Sequence, residues 1–383
     1  MGQLNLLALD TEGPIFSKTE LWRGNHYGDP RPLVCYSCAV PEETWAVKWS
    51  EDGVDEVTTE LAACDMVVGA NFKHDVGVLR KVGVDFSGVK VWDVQIAEFL
   101  LSRQTHKYPS LDSICEKYGI PKKLDVVKTE YWEKGIETED VPWPILSEYA
   151  AHDAAVTLAC AKKQMEEMNP KMTTLCRLMG QDLLILQEME HNGITYDEEL
   201  CKKKSLELDN EISEITKTLS NVYPGIPINF ASGDQLSAFL YGGVVVEEAK
   251  EHIGFYKTGI KAGQPKYKNV VIEHPLPRLF EPVKGSELKK EGFYETNEGV
   301  LKKLKGPHKK LVDLLLRLSK LEKLNGTYYR GLPKLNAEMR WPKGKLHGQL
   351  NQTLAGTGRL SSSKPNQQNF ASELQDIFIS DFP

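Results

Sequence analysis

Two acidic residues, Asp10 and Glu12, directly follow an apolar run in the segment LLALDTEG at residues 6–13. Side chains at positions i and i+2 of an extended strand point to the same face, so the two carboxylates are expected to lie side by side at a strand end. A divalent cation between them would remove their mutual repulsion, because Mg²⁺ prefers oxygen ligands. From these residues alone, a solvated strand end before the turn at Gly13 and Pro14 is the alternative.

Two further pairs of polar residues are each spaced by four positions. The segment VVGANFKHDVGVL carries Asn71 and Asp75, and the segment SEYAAHDAAVTL carries Tyr149 and Asp153. Residues at i and i+4 share one face of a helix, so each pair would present both side chains to one place. Each pair alone is also compatible with exposed helical residues. The order D-x-E, N-x-x-x-D and Y-x-x-x-D, with each motif joined to a strand or a helix, favours one shared acidic site.

The elements that must position these residues follow an α/β pattern over about the first 170 residues. Short apolar runs indicate strands, and apolar residues spaced by three or four indicate helices. Long helical patterns dominate from about residue 172 to 325, and a stretch rich in Gly, Pro and Lys at residues 242–292 is expected to be an insertion that carries a β-hairpin. Strands are predicted near residues 4–10, 33–40, 44–49 and 66–69, and helices near residues 56–63, 72–81, 94–102 and 144–168.

The composition is that of a globular protein with two or three domains. The chain has 383 residues, of which 41% are hydrophobic and 26% are charged. It has no apolar run of about 18 residues and no basic segment before a long apolar core, so neither a membrane span nor a signal peptide is expected and the cytoplasm is the expected compartment. Seven scattered cysteines argue against a disulfide framework, and Cys35 and Cys38 are interpreted as structural thiols.

Positive charge is concentrated in one region of an acidic chain. The net charge is −7, but residues 301–350 contain 13 Lys and Arg against 3 Asp and Glu, which leaves −17 for the remainder. Basic residues in one place and acidic metal-binding residues in another are what an enzyme that processes phosphodiesters needs. A solvated helical surface covered by lysines is the alternative.

The three acidic motifs resemble those of the DEDD 3′–5′ exonucleases, in the subclass that carries a tyrosine. The segments GANFKHDVGVL and EYAAHDAAVTL are particularly similar to the proofreading domain of family A DNA polymerases, which are the DNA polymerase I type. The resemblance implies an RNase H-like α/β domain and two bound Mg²⁺ or Mn²⁺ ions. His74 and His152 match no position of these motifs.

The resemblance also implies which acids hold the ions. Asp10, Glu12 and Asp153 would ligate the first metal ion, and Asp10 would bridge to the second. Asp75 would act on the second ion through a water molecule. Two such ions about 3.5–4 Å apart would activate a water, brace the scissile phosphate and offset charge on the leaving 3′ oxygen.

Two other motif residues are assigned to the substrate and to the attacking water. By resemblance, Asn71 would help to hold the substrate strand, and Tyr149 would orient the water. The terminal nucleotide would leave as a 5′-monophosphate. A frayed or mismatched DNA end is the expected substrate, because a single strand must enter the site and the metals contact its backbone.

The remainder of the chain resembles the thumb and the first part of the palm of family A polymerases. The segments QEMEHNGITYD and INFASGDQLSAFL are similar to the helical thumb, and residues 346–369 (LHGQLNQTLAGTGRLSSSKPNQQN) are similar to the opening palm motif. Arg359 could reach the minor-groove acceptors that A·T and G·C pairs share. The resemblance places Asn366, Gln368 and Asn369 beside it at the primer terminus. We assign Lys302, Lys303 and Lys305 to the base of a thumb that grips the DNA duplex.

These inferences predict three regions. They are an exonuclease domain at residues 1–170, a mainly helical thumb at residues 171–345 and an incomplete palm at residues 346–383. In the family, the ligands for nucleotidyl transfer follow later in the palm, so primer extension is expected only with a second polypeptide or a longer chain that carries palm and fingers. The apolar residues of DIFIS, 376–380, predict a strand with no partner in this chain.

Two other functions remain open, and a phage-type polymerase is the expected source. An exoribonuclease of the RNase D type would share the acids and the tyrosine, although it would not need the motif at residues 346–369. A non-catalytic DNA-binding subunit would keep the basic helices but would tolerate loss of the acids. The expected partners are a single-stranded DNA 3′ end and a primer-template duplex, with no membrane.

Overall fold

A central sheet of five short strands organises the first part of the chain in the computed structural model, which describes residues 4–31 and 33–381. The strand order is β3-β2-β1-β4-β5. Strand β2 is antiparallel to both of its neighbours, β1 and β3, whereas β4 and β5 run parallel to β1. The strands span Leu6–Glu12 (β1), Cys35–Ala39 (β2), Thr44–Lys48 (β3), Met66–Gly69 (β4) and Val91–Asp93 (β5).

Seven helices accompany this sheet. The longest helix, α6, packs against β1, β2 and β3, and α7 packs against β5. Trp92, Phe72 and Leu9 are among the fully buried side chains of the resulting core. The helices span Gly53–Ala63 (α1), Lys73–Val82 (α2), Val94–Leu101 (α3), Leu111–Tyr118 (α4), Val126–Glu130 (α5), Trp143–Glu167 (α6) and Pro170–Asn192 (α7).

The four predicted strands and four predicted helices of this part are confirmed, with ends that differ by a few residues. Strand β5 and helices α4 and α5, which contain three, eight and five residues, were not predicted. None of the cysteines in the described part of the chain forms a disulfide. Cys35 and Cys38 are both buried in β2, as expected for structural thiols.

The backbones of α7 and β5 approach closely at Gly180. A Cβ atom added to Gly180 would lie 2.2 Å from the backbone oxygen of Val91, which is far shorter than an ordinary contact. Only glycine therefore fits at this point of the helix without moving the sheet.

Gly180→Ala is expected to lower the free energy of unfolding by roughly 1–3 kcal/mol, even though alanine favours a helix. Gly326→Ala is the control, because a Cβ there would have no described neighbour within 4 Å outside its own helical turn. A denaturant titration of both variants tests the difference. Equal stability of the two variants would contradict a close contact at Gly180.

Residues 199–331 form a second compact unit, and the described residues before and after them form the first. The core of the second unit contains Leu219, Phe239, Leu240 and Val312. The predicted hairpin is confirmed as a long antiparallel pair, β7 and β8, whose register shifts between His252 and Gly254. The elements span Glu198–Ser220 (α8, which begins at the boundary), Gly233–Tyr241 (α9), Gly243–Phe255 (β7), Pro265–Leu276 (β8), Glu298–Leu301 (α10) and Lys309–Leu324 (α11).

The segment from Leu332 onward belongs to the first unit. These unit boundaries differ from the predicted functional regions, which are defined by resemblance and not by compactness. The remaining elements span Ile194–Tyr196 (β6), Gly331–Met339 (α12, which begins at the boundary), Lys345–Leu346 (β9), Gln349–Asn351 (β10), Ser361–Ser363 (β11) and Phe378–Ile379 (β12).

The prediction of a terminal strand without a partner in this chain is wrong. Phe378 pairs with Tyr196, and β12, β6 and β9 form a three-stranded sheet in that order. Strand β6 therefore provides the backbone hydrogen-bond partners that the prediction expected β12 to lack in this chain. The strand is also shorter than predicted, because residues 372–377 form a 3₁₀ helix in which Leu374 and Ile377 are buried.

A buried carboxylate joins the segment around β10 to helices α2 and α7 of the same unit. Glu190 of α7 lies 2.5 Å from the ammonium of Lys73 and accepts a hydrogen bond of 2.5 Å from the backbone N–H of Leu350. Lys73 also donates to the backbone oxygen of Leu350. The three groups form a closed network that joins α2, α7 and β10.

No helix of the described residues is long and apolar enough to cross a membrane.

Candidate active site

Three carboxylates converge at the end of β1. Asp10 and Glu12 lie on β1 itself, and Asp153 extends toward them from α6, which packs on that strand. Ligand atoms of the three side chains all lie within 4.8 Å of one another. Glu12 is 9% exposed and Asp153 is 1% exposed. The predicted neighbourhood of Asp10 and Glu12 is therefore confirmed, and Asp153 joins it.

Asp75 is held beside this group by the residue between the first two acids. The backbone N–H and the hydroxyl of Thr11 both donate to Oδ1 of Asp75, at 3.1 and 2.6 Å. Asp75 is buried but does not belong to the set of three carboxylates within 4.8 Å. Thr11 was not predicted as a site residue, although its position inside the D-x-E motif could have drawn attention to it.

The interpretation of Asn71 and Asp75 as one helical face is wrong, because α2 begins after Asn71. The backbone of Asn71 is left-handed, with φ of 56°, and the helix starts at Lys73. The N–H of Phe72 donates to Asp93 Oδ2 at 2.7 Å, which holds the turn that enters the helix. Asn71 nevertheless lines the same cavity as Asp75.

Tyr149 and Asp153 do share one face of a helix, as predicted. Both lie in α6, and both are buried. The ring of Trp132 meets the ring of Tyr149 edge-on, with 5.7 Å between centroids. Burial, together with the nearby carboxylates of Glu12 and Asp153, raises the pKa of Tyr149 well above its usual value. The phenol therefore stays protonated and can donate a hydrogen bond.

Burial raises the pKa of every acid in the site. It raises the pKa of Asp10 from 3.8 to about 6, and it raises the pKa values of Glu12 and Asp75 well above their ordinary values. The pKa of Asp153 is also raised by burial, although Lys123 acts in the opposite direction. Four carboxylates in so little water are costly when charged, unless a cation compensates them.

The residues fit a divalent metal ion. All the candidate ligand atoms are carboxylate oxygens, which hard cations prefer, and three acids are already close enough to share one ion. The carboxylate of Asp153 is buried, and its Oδ2 forms an ion pair with Lys123. Asp75 lines the same cavity as Asp10 and Glu12.

Without added metal, the free energy of unfolding is expected to fall by roughly 2–3 kcal/mol as pH rises from about 4 to about 6. The folded state binds the Asp10 proton more tightly than the unfolded state, because burial raises its pKa from 3.8 to about 6. Stability is therefore highest while Asp10 is protonated. Denaturant titrations in a chelator at several pH values measure this change. The free energy of unfolding should depend less on pH in Asp10→Asn than in the unmodified protein. An unchanged pH dependence would contradict the assignment of this effect to Asp10.

A cavity of about 820 Å³ opens in front of the acids. Its walls include residues that sequence reasoning did not select. Phe16 is 68% exposed, and its ring centroid lies 5.4 Å from that of His74, which matched no motif. Further lining comes from Ile15, Val78, Trp132, Lys123 and Lys128. The cavity is thus lined by acidic residues together with apolar and basic side chains.

The predicted primer-terminus residues lie elsewhere. Arg359, Asn366, Gln368 and Asn369 are all exposed, and none of them lines the acidic cavity. Asn366 Oδ1 accepts a hydrogen bond of 3.2 Å from the N–H of Gln368, and the Gln368 side chain donates to the backbone oxygen of Leu360. The structure therefore brings together Asp10, Glu12, Asp75, Tyr149 and Asp153, whereas the four predicted primer-terminus residues form a separate exposed set.

Comparison with known proteins finds similarity to one polymerase family. A family model described as DNA polymerase family A matches residues 276–378. Over these residues the chain is similar to family A DNA polymerases. DNA polymerase I of Synechocystis sp. is 28% identical over 308 residues, which cover 78% of this chain and 26% of that protein. DNA polymerase I of Bacillus subtilis is 28% identical over 308 residues, which cover 79% of this chain and 29% of that protein. The chain thus spans less than a third of the length of these family A relatives.

A solved structure has a fold similar to that of this chain. It is described as the POL domain of Pol1 from M. smegmatis in complex with DNA primer-template and dNTP. The likeness has a TM-score of 0.68 at 19% sequence identity and covers 99% of this chain and 55% of that one. The fold of this chain is therefore similar to that structure over nearly its whole length.

Proposed function

We propose that this chain is the 3′–5′ exonuclease and primer-template-binding part of a family A DNA polymerase. The observation that carries the proposal is the convergence of Asp10, Glu12 and Asp153 within 4.8 Å of one another, beside a cavity that Asp10 and Glu12 line. The order β3-β2-β1-β4-β5, with its antiparallel first three strands, supports an RNase H-like domain. The family match at residues 276–378 supports thumb and palm functions after it.

Each side chain of the site has a defined part in the proposed reaction. When bound, two Mg²⁺ or Mn²⁺ ions would lower the pKa of an attacking water and offset charge on the leaving 3′ oxygen. Asp10, Glu12 and Asp153 would hold the first ion, and Asp75, fixed by Thr11, would serve the second through water.

The walls of the cavity would position the substrate strand. The protonated hydroxyl of Tyr149 would donate to the attacking water and orient it. Asn71 would hold the strand, because it lines the cavity at the end of β4. Phe16 offers an exposed ring on which a base could stack, and such contacts depend little on base identity.

The regional assignments follow from this function. Residues 1–170 would act as the proofreading domain, residues 171–345 as the thumb and residues 346–383 as the start of the palm. Arg359, Asn366, Gln368 and Asn369 would contact the primer-template duplex from their exposed positions. Palm and fingers from a second polypeptide or a longer chain remain a prediction, which primer extension with and without that part would test.

One assay distinguishes the proposal from its two alternatives. DNA and RNA of the same sequence, each labelled at the 5′ end, are incubated with the protein in Mg²⁺ or in EDTA. Stepwise shortening of DNA from the 3′ end in Mg²⁺ only is expected. Preferential shortening of RNA would favour an exoribonuclease of the RNase D type, and binding without shortening would favour a non-catalytic subunit.

The three lysines assigned to the thumb base give a separate prediction about DNA affinity. Lys302, Lys303 and Lys305 are exposed around the end of α10, and the Lys302 ammonium lies 2.5 Å from Glu298. Replacing all three by alanine is expected to reduce the slope of log affinity against log salt by roughly 1–3, about one for each lost phosphate contact. Duplex binding at several salt concentrations measures this slope.

The matched control removes the same charge from α8. The triple variant Lys203→Ala, Lys204→Ala and Lys217→Ala should change the slope little, because no phosphate contact is assigned to those lysines. If both triple variants gave the same slope as the unmodified protein, the lysines after α10 would be a solvated surface.

A further inference from the structure

A lysine that belongs to none of the motifs lies inside the acidic cluster. Lys123, between α4 and α5, lines the cavity and forms an ion pair with Oδ2 of Asp153. Its ammonium is 5.8 Å from the ring centroid of Tyr149. The Lys123 side chain is 32% exposed, whereas that of Asp153 is 1% exposed. A positive charge therefore sits among the residues proposed to hold the first metal ion.

Other basic residues of the cavity do not share this position. Arg31 pairs with Asp29 and Glu137, and Lys81 donates to a backbone oxygen at 2.6 Å. Lys128 lines the cavity without an ion pair to the acids. Among the cavity-lining bases in the described part of the chain, Lys123 is the one that pairs with a member of the three-carboxylate cluster.

The cluster needs such a charge whenever no metal ion is bound. Three carboxylates within 4.8 Å repel one another, and burial already disfavours their charged forms. The ammonium of Lys123 offsets part of this repulsion. Removing Lys123 would leave the buried carboxylates without this compensating charge, and removing Asp153 would leave the ammonium of Lys123 without its partner.

We propose that Lys123 is an internal counter-ion that occupies the place of a cation in the metal-free site and competes with the first divalent ion for Asp153. The inference rests on the proposed function, because it takes Asp153 to be a metal ligand. Binding of the ion would break the pair between Lys123 and Asp153. The free energy of that pair would then be subtracted from the affinity for the ion.

The test measures metal binding without DNA. Lys123→Met keeps an unbranched apolar side chain but removes the charge, and Mn²⁺ binding is followed by calorimetry or by electron paramagnetic resonance. The variant is expected to bind Mn²⁺ roughly tenfold more tightly, which corresponds to the loss of one partly buried charged interaction. In EDTA its melting temperature should fall, and the rise in melting temperature on adding Mn²⁺ should be larger than in the unmodified protein.

Two control variants separate this effect from a general change of charge or fold. Lys128→Met removes a positive charge from the same cavity and should change Mn²⁺ affinity far less. Lys123→Arg keeps the charge, so its Mn²⁺ affinity and melting temperature should stay close to those of the unmodified protein, even if Lys123→Met folds poorly.

The contrary outcomes are distinct. Unchanged or weaker Mn²⁺ binding by Lys123→Met, with normal binding by the unmodified protein, would overturn the counter-ion role and leave the proposed function intact. Tighter binding by Lys123→Arg as well would also overturn it, because the charge would then not be the cause. An unmodified protein that binds no Mn²⁺ would overturn both this inference and the proposed metal-dependent function.

Discussion

Replacing Asp10 and Glu12 together by alanine is expected to abolish metal-dependent shortening of DNA 3′ ends. The two side chains supply two of the three carboxylates that lie within 4.8 Å of one another, so their loss removes most of the first metal site. The loss of several kcal/mol of transition-state stabilisation corresponds to a decrease of roughly a thousandfold or more in rate. The rate is measured on single-stranded DNA with a 5′ label in excess Mg²⁺.

Stability measurements distinguish this loss from unfolding. Burial raises the pKa values of both acids, which means that their charged forms destabilise the metal-free protein near neutral pH. The double variant should therefore melt in EDTA no lower than the unmodified protein. Tyr149→Phe is expected to reduce the rate less, because it removes one hydroxyl and no metal ligand. Nuclease activity of the double variant equal to that of the unmodified protein would exclude the assigned site.

The largest expected effect on stability comes from Glu190→Ala. This change leaves the ammonium of Lys73 and the N–H of Leu350 without the carboxylate that now accepts from both. Breaking a buried ion pair by removing one partner costs about 3–5 kcal/mol, and the 18% exposure of the Lys73 side chain lowers the expected cost to about 2–3 kcal/mol. Denaturant unfolding measures the change.

Glu188→Ala is the matched control on the same helix. The Glu188 side chain is 63% exposed and lies 3.8 Å from Arg80, so its removal should change stability by less than about 0.5 kcal/mol. Similar losses for both variants would mean that the network around Glu190 contributes nothing beyond ordinary helix effects.

The acidic pair on β1 could be predicted because it depends only on strand geometry. Side chains alternate along any strand, so Asp10 and Glu12 had to share a face once the apolar run formed β1. The same holds for Tyr149 and Asp153, which lie well inside a long helix where the period is regular. Local periodicity was sufficient in both cases.

The start of α2 could not be predicted in the same way. Asn71 is left outside the helix, and the N–H of the next residue, Phe72, donates to Asp93 at the end of another strand. The partner is 21 positions away in sequence, so no local pattern contains it. Lys123 was missed for the same reason, because only the folded chain brings it to Asp153.

The three-stranded sheet of β12, β6 and β9 has a consequence for the order of folding during synthesis. Thr195 pairs with Ile379 and with Lys345, so the first unit cannot close this sheet until the ribosome has passed the last of these residues. The second unit, residues 199–331, is continuous in sequence and can complete its own core earlier. Pairings between distant segments form slowly, because a long loop must be ordered first. The strand β6 region of the first unit is therefore expected to become resistant to protease later on the nascent chain than the core of the second unit.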